Sequence, residues 1–104
     1  MAKYTNITLY DRPASVQSKK LIAYLEENNI RWARMNYVSD YSECLNAIKT
    51  WFPEDDITSF PILVWDHVTY ESPDKTIVVS NGRSFTKTKN DLPSDFSTLA
   101  EKKS

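Results

Sequence analysis

The sequence contains few of the residues that proteins use for covalent links and tight turns. Its 104 residues include one cysteine, one glycine and one histidine. The single cysteine, Cys44, excludes a disulfide within the chain, and this scarcity favours a reducing compartment such as the cytoplasm. We expect Cys44 to be a small buried residue and not a catalytic thiol. The lone His67 has no ligand partner nearby in the sequence, so we expect an exposed loop residue.

Long apolar runs and an excess of one charge are absent as well. No run is long enough to cross a bilayer, and residues 1–6 lack the apolar region of a signal peptide. The net charge is -1 and both signs are interspersed. We therefore expect neither a membrane nor a nucleic acid as a partner. The acidic residues 54–56 lack the spacing of oxygen ligands, so we expect no metal site there.

The composition that remains is that of an ordinary globular domain. Hydrophobic residues make up 40% of the chain and charged residues 26%. A chain of this length forms one domain with a modest core. We predict a single domain over residues 1–104, with a frayed tail at 99–104.

The first half of the chain alternates between strand and helix patterns. Ile7–Tyr10 is a β-favouring run that ends at a turn signal, residues 11–13. A helix is predicted from Ala14 or Ser15 through about Asn29, followed by a strand over Arg31–Val38. The next helix is capped by residues 39–40 and stopped by Pro53.

The second half contains adjacent strands. Ile62–Trp65 is fully apolar, as in a central strand covered on both faces, and Lys75–Ser80 is predicted as another strand. Asn81 and Gly82 favour a tight turn with positive φ. A last helix is predicted over Leu92–Glu101. The order β-α-β-α-β-β-α predicts an α/β sandwich with a four-stranded mixed sheet, in which the first two strands are parallel.

Two stretches resemble a known family. The stretch ITLYDRPASVQSKKLIAYLEENNIRW is similar, without a gap, to the first strand, C-x-x-C loop and first helix of the thioredoxin-fold glutaredoxins. The stretch TSFPILVW resembles the entry to their third strand, where the proline is cis, which implies a cis peptide at Pro61. Within the family, the chain looks most like the glutaredoxin-like redoxins that donate electrons to ribonucleotide reductase. The likeness covers about residues 6–66 and implies a thioredoxin-like fold.

The redox positions of that motif are occupied by serine. Ser15 and Ser18 stand where the family has its two cysteines. A helix start stabilises a thiolate, which attacks a disulfide before the second cysteine resolves the product. Serine keeps the shape and a hydroxyl but cannot form an S–S bond. The chain as written is therefore expected to lack the family's chemistry.

Two origins of the serines stay open. The chain is either a naturally degenerate member or one in which both cysteines of an active parent were replaced. The first implies a non-catalytic binding module that uses the former active-site groove. The second implies a thiol-disulfide oxidoreductase in the parent. A glutathione-activating enzyme is a third reading, but such enzymes carry a second helical domain that 104 residues do not accommodate.

The resemblance also implies where a ligand lies. A protein or peptide partner, or a glutathione-like ligand, would occupy the groove between the first helix start and the cis-proline loop. No cofactor other than glutathione is implied. The expected binding residues are Arg12, Ser15, Val16, Gln17, Ser59, Phe60 and Pro61.

Overall fold

The computed structural model describes residues 3–12, 15–36, 41–55, 60–70 and 78–103. Its strands and helices follow one another along the chain in the predicted order. They are β1 (Tyr4–Asp11), α1 (Val16–Glu27), β2 (Ala33–Asn36), α2 (Tyr41–Trp51), β3 (Ile62–Tyr70), β4 (Val78–Thr86) and α3 (Phe96–Leu99), with a short 3-10 turn at Lys89–Asp91. No helix in these ranges is both long and apolar enough to span a bilayer.

The four strands form one mixed sheet in the order β2-β1-β3-β4. β1 and β2 are parallel, and β3 is antiparallel to both β1 and β4. Leu9 of β1 lies between Arg34 of β2 and Leu63 of β3. The mixed α/β class and the four-stranded mixed sheet predicted from the sequence are confirmed. The Phe60–Pro61 peptide bond at the entry to β3 is cis.

Alternation along β1 sends side chains to two separate hydrophobic clusters. Leu9 packs with Leu21 of α1 and Phe96 of α3, and each of these side chains is fully buried. Tyr10, the next residue, packs on the other face with Ile48 of α2 and with Phe60. The sheet is thus covered by α1 and α3 on one face and by α2 on the other.

The predicted turn at Asn81 and Gly82 is wrong. Both residues lie inside β4, where Gly82 pairs with His67 of β3, and the φ of Gly82 is not positive. A Cβ at Gly82 would stand 3.1 Å from the His67 ring, so the glycine makes room for that side chain. Pairing with a long β3 therefore overrides the local turn preference. The link between these strands falls on residues 71–77, outside the described residues, as do residues 75–77 of the strand predicted over Lys75–Ser80.

The predicted frayed tail is also wrong for residues 99–103. The Glu101 N–H donates to the Tyr4 carbonyl at 2.9 Å, and the Arg31 N–H donates to the Glu101 carbonyl at 2.8 Å. The Lys103 N–H donates to the Asn29 carbonyl at 2.9 Å. The last helix is shorter than predicted, because the chain becomes extended at Ala100 to make these bonds. We call residues 100–103 the C-terminal strap.

Candidate ligand site at the start of α1

Ser15 starts α1, as the sequence predicted. Its backbone is extended, with φ -73° and ψ 135°, and its Oγ accepts from the Ser18 N–H at 3.5 Å. Its carbonyl accepts from the Lys19 N–H at 3.1 Å. Serine is a favoured N-cap because this hydroxyl satisfies one of the backbone donors that the first helical turn leaves unpaired. The distance of 3.5 Å makes this a weak cap.

Ser18 lies inside the protein beneath that helix start. It is only 2% exposed, and its Oγ accepts from the Arg12 N–H at 3.0 Å. A second bond, from the Ser15 N–H to the Arg12 carbonyl at 3.1 Å, joins the same two segments. The Ser18 hydroxyl therefore fixes the end of β1 to the start of α1.

The surface of this junction carries a cation and an apolar side chain. Arg12 is exposed, Gln17 is half-buried, and Val16 is 63% exposed, more than any other large hydrophobic residue that the structure describes. The first turn of a helix presents backbone N–H groups that no helical carbonyl accepts. The junction can thus offer hydrogen-bond donors beside a positive charge, which suits an anionic or peptide-like ligand.

The other predicted wall consists of Phe60 and Pro61. Both residues are buried, and Phe60 is 5% exposed. The Phe60 ring stacks on the Tyr10 ring with 6.2 Å between centroids. This side chain belongs to the core, so the Phe60 ring is not available to a ligand. The predicted site residue Ser59 lies outside the described residues.

A buried carboxylate beside the junction was not identified from the sequence. Asp11 ends β1 and is 9% exposed. Its Oδ2 lies 3.4 Å from Nε of Arg34, while its Oδ1 is buried without a hydrogen-bond partner. In the sequence, this residue looks like part of a turn. Its burial follows from the pairing of Asp11 with Asn36, which extends β1 beyond the predicted strand.

The remaining sequence predictions have different outcomes. Cys44 of α2 is buried in the hydrophobic cluster between α2 and the sheet, as predicted. His67 lies in β3 and is half-buried, so its prediction as an exposed loop residue is wrong. Among the described residues, no group of three or more His, Cys, Asp or Glu side chains could hold a metal ion.

Comparisons with protein-family models, with curated proteins and with solved structures gave no match.

Proposed function

We propose that this chain is a glutaredoxin-like protein of thioredoxin-like fold that binds a partner without catalysing thiol exchange. The sheet order, with β1 and β2 parallel and β3 and β4 antiparallel, supports that fold. The placement of the Ser15–Ser18 junction at the end of β1 supports the family motif.

The observation that carries the proposal is the position of the two serines. Ser15 caps the helix, where the attacking cysteine of the family would stand, and buried Ser18 stands one turn further. The shape of the motif is thus compatible with a C-x-x-C site, while oxygen replaces both sulfurs. Two hydroxyls cannot be oxidised to a bonded pair as two thiols are to a disulfide, so they cannot carry the two electrons of a dithiol–disulfide couple. The retained surface is therefore used for binding.

The ligand class follows from the charge and the donors of that surface. Arg12 is exposed, and its backbone is hydrogen-bonded to Ser15 and Ser18 at the start of α1. The ligand is an extended peptide or a glutathione-like molecule whose carboxylate meets Arg12. A charge-assisted hydrogen bond of this kind contributes about 1.5–3 kcal/mol.

The test is an NMR titration of the full chain with glutathione and with an acidic peptide. Amide shifts should cluster on Arg12, Ser15, Val16 and Gln17, and Arg12→Ala should weaken binding by roughly 10- to 150-fold. Arg31→Ala is the matched control, because Arg31 is also exposed but lies at the C-terminal strap. Shifts confined to α2, or equal effects of the two substitutions, would contradict the proposal.

A second candidate is an oxidoreductase parent, favoured by the buried position of Ser18 below an exposed helix start. Ser15→Cys combined with Ser18→Cys should then reduce insulin disulfides or a glutathione mixed disulfide. The unmodified chain should stay at background in the same assay. The single substitution Ser18→Cys is the control, because it places a thiol only at the buried position. A double variant that folds but reduces neither substrate would reject this candidate.

A further inference from the structure

A small cleft on the α2 face of the sheet is separate from the α1 junction. It forms because α2 ends at Trp51, while the sheet continues beyond that end through β1, β3 and β4. Its volume is about 150 Å³. We call it the Trp51 cleft.

The inner wall of the Trp51 cleft is apolar and aromatic. Tyr10 and Val64 line it and are 7% and 3% exposed. Trp51 lines it as well and contacts Tyr10 edge-on, with 6.2 Å between ring centroids. Trp51 is 37% exposed, so part of this aromatic side chain remains accessible to solvent.

The rim of the cleft is polar but electrically balanced. Oδ1 of Asp66 accepts from Nε of Arg83 at 2.8 Å, and Oδ2 accepts from Nδ2 of Asn6 at 2.8 Å. The Arg83 guanidinium also covers the Trp51 ring, 4.4 Å from its centroid. One carboxylate and one guanidinium cancel each other's charge, so the cleft favours neither an anion nor a cation.

The Asp66 carboxylate remains able to accept a further hydrogen bond. Burial raises its pKa, but hydrogen bonds from Arg83 and Asn6 lower it by more, so its pKa lies below the ordinary value. The group is thus ionised at neutral pH. Each carboxylate oxygen has room for more than one donor. A ligand that carries one O–H or N–H can therefore bind here.

The volume of the Trp51 cleft limits the ligand to one aromatic ring. An apolar cavity of roughly 150 Å³ holds a molecule the size of benzene. Aromatic rings pack favourably edge-on or offset against other rings, and the partly exposed Trp51 side chain offers such a contact. We propose that the Trp51 cleft binds a single neutral aromatic ring with one hydrogen-bond donor, such as a phenol. The ring belongs either to a free small molecule or to a tyrosine side chain.

The proposal is tested by titrating the full chain with p-cresol and following amide shifts and Trp fluorescence. Saturable shifts should appear at Thr8, Asp66 and Arg83. Thr8→Leu places a larger side chain in the cleft and should weaken binding about tenfold or more. Thr98→Leu is the matched control, because Thr98 is exposed on α3. Melting curves of both variants establish that they are folded.

Further probes separate the sources and check the chemistry. If N-acetyltyrosinamide binds at least as tightly as p-cresol and gives the same shifts, the ring belongs to a tyrosine side chain. If it binds more weakly, the ring belongs to a free phenol. Should Thr8→Leu not fold, Trp51→Ala, at an exposed position, must give the same loss. The proposal is overturned by any one of three results: p-cresol binding does not saturate, neither Thr8→Leu nor Trp51→Ala weakens p-cresol binding, or benzoate binds more tightly than p-cresol.

Discussion

The two faces of the sheet use the same four strands but are closed to different degrees. On the α1 face, Leu9, Leu21, Leu25, Ile30, Leu63 and Phe96 are all completely buried. On the α2 face, Ile48 and Ile62 reach that state, while Trp51 remains 37% exposed. Among the described residues, two helices and the C-terminal strap close the first face, whereas one helix of 11 residues covers part of the second.

The comparison indicates that the α1 face contributes more of the stability, whereas the α2 face keeps an open cleft. The α1 face is fastened by contacts between distant parts of the chain, such as the hydrogen bond from the Tyr4 hydroxyl to Oδ1 of Asp95 at 2.6 Å. The α2 face leaves the Trp51 cleft beside a smaller cluster. Because burial of apolar area is the main source of folding free energy, we expect substitutions on the α1 face to cost more.

The largest effect is expected from Phe96→Ala. Phe96 is fully buried, and its ring lies 5.1 Å from both the Tyr4 and the Trp65 ring. Its removal leaves a cavity and should lower the free energy of unfolding by about 3–5 kcal/mol. Phe52→Ala is the matched control on the α2 face, where the half-buried ring contacts Phe85. Its loss should be about 1.5 kcal/mol. Equal losses in urea unfolding would remove the difference between the faces.

A smaller effect is expected when the chain ends at Ala100. This change removes the backbone hydrogen bonds of the strap to Tyr4, Asn29 and Arg31. At roughly 1 kcal/mol each, partly offset by solvation, the loss should be about 2 kcal/mol. Hydrogen exchange at the Arg31 amide should accelerate as well.

The control for the strap is Lys103→Ala in the full chain. It removes the exposed pair of Lys103 with Glu26 but keeps the backbone bonds. Exposed pairs contribute about 0–1 kcal/mol. If this substitution cost as much as the truncation, the side chains and not the backbone would hold the strap.

The smallest effect at neutral pH is expected from Tyr4→Phe, at about 1 kcal/mol for the lost hydrogen bond. Burial, and then the hydrogen bond to Asp95, raises the pKa of Tyr4 from 10.0 to about 12. The folded state therefore holds the phenol proton when the unfolded chain has lost it. Stability from this group is complete below pH 10 and is lost between about pH 10 and 12.

The measurement is the free energy of unfolding against alkaline pH. The unmodified chain should lose stability more steeply over that interval than Tyr4→Phe. Tyr24→Phe is the control and should keep the steep slope, since Tyr4 and Asp95 are unchanged. If the free energy of unfolding fell equally with pH in all three chains, the Tyr4–Asp95 contact would not stabilise the α1 face.

Local signals predicted the first half of the fold well. A β-favouring run located the centre of β1, and the helical period located α1 with a start at Ala14 or Ser15. Pro53 correctly placed the end of α2 near Trp51. At the candidate site, the sequence identified Ser15 and Ser18 but not that Ser18 is buried or that Asp11 lies beside them.

What the sequence alone determined was the order of elements, the α/β class and the presence of serine, and not cysteine, at positions 15 and 18. Tertiary structure decided the rest. Asn81 and Gly82 entered β4 because pairing with β3 outweighs the local preference for a turn. Residues 100–103 became ordered because Tyr4 and Asn29, far away in sequence, accept their N–H groups. Such bonds depend on which segments meet in space, and a pattern read over a few neighbouring residues does not contain that information.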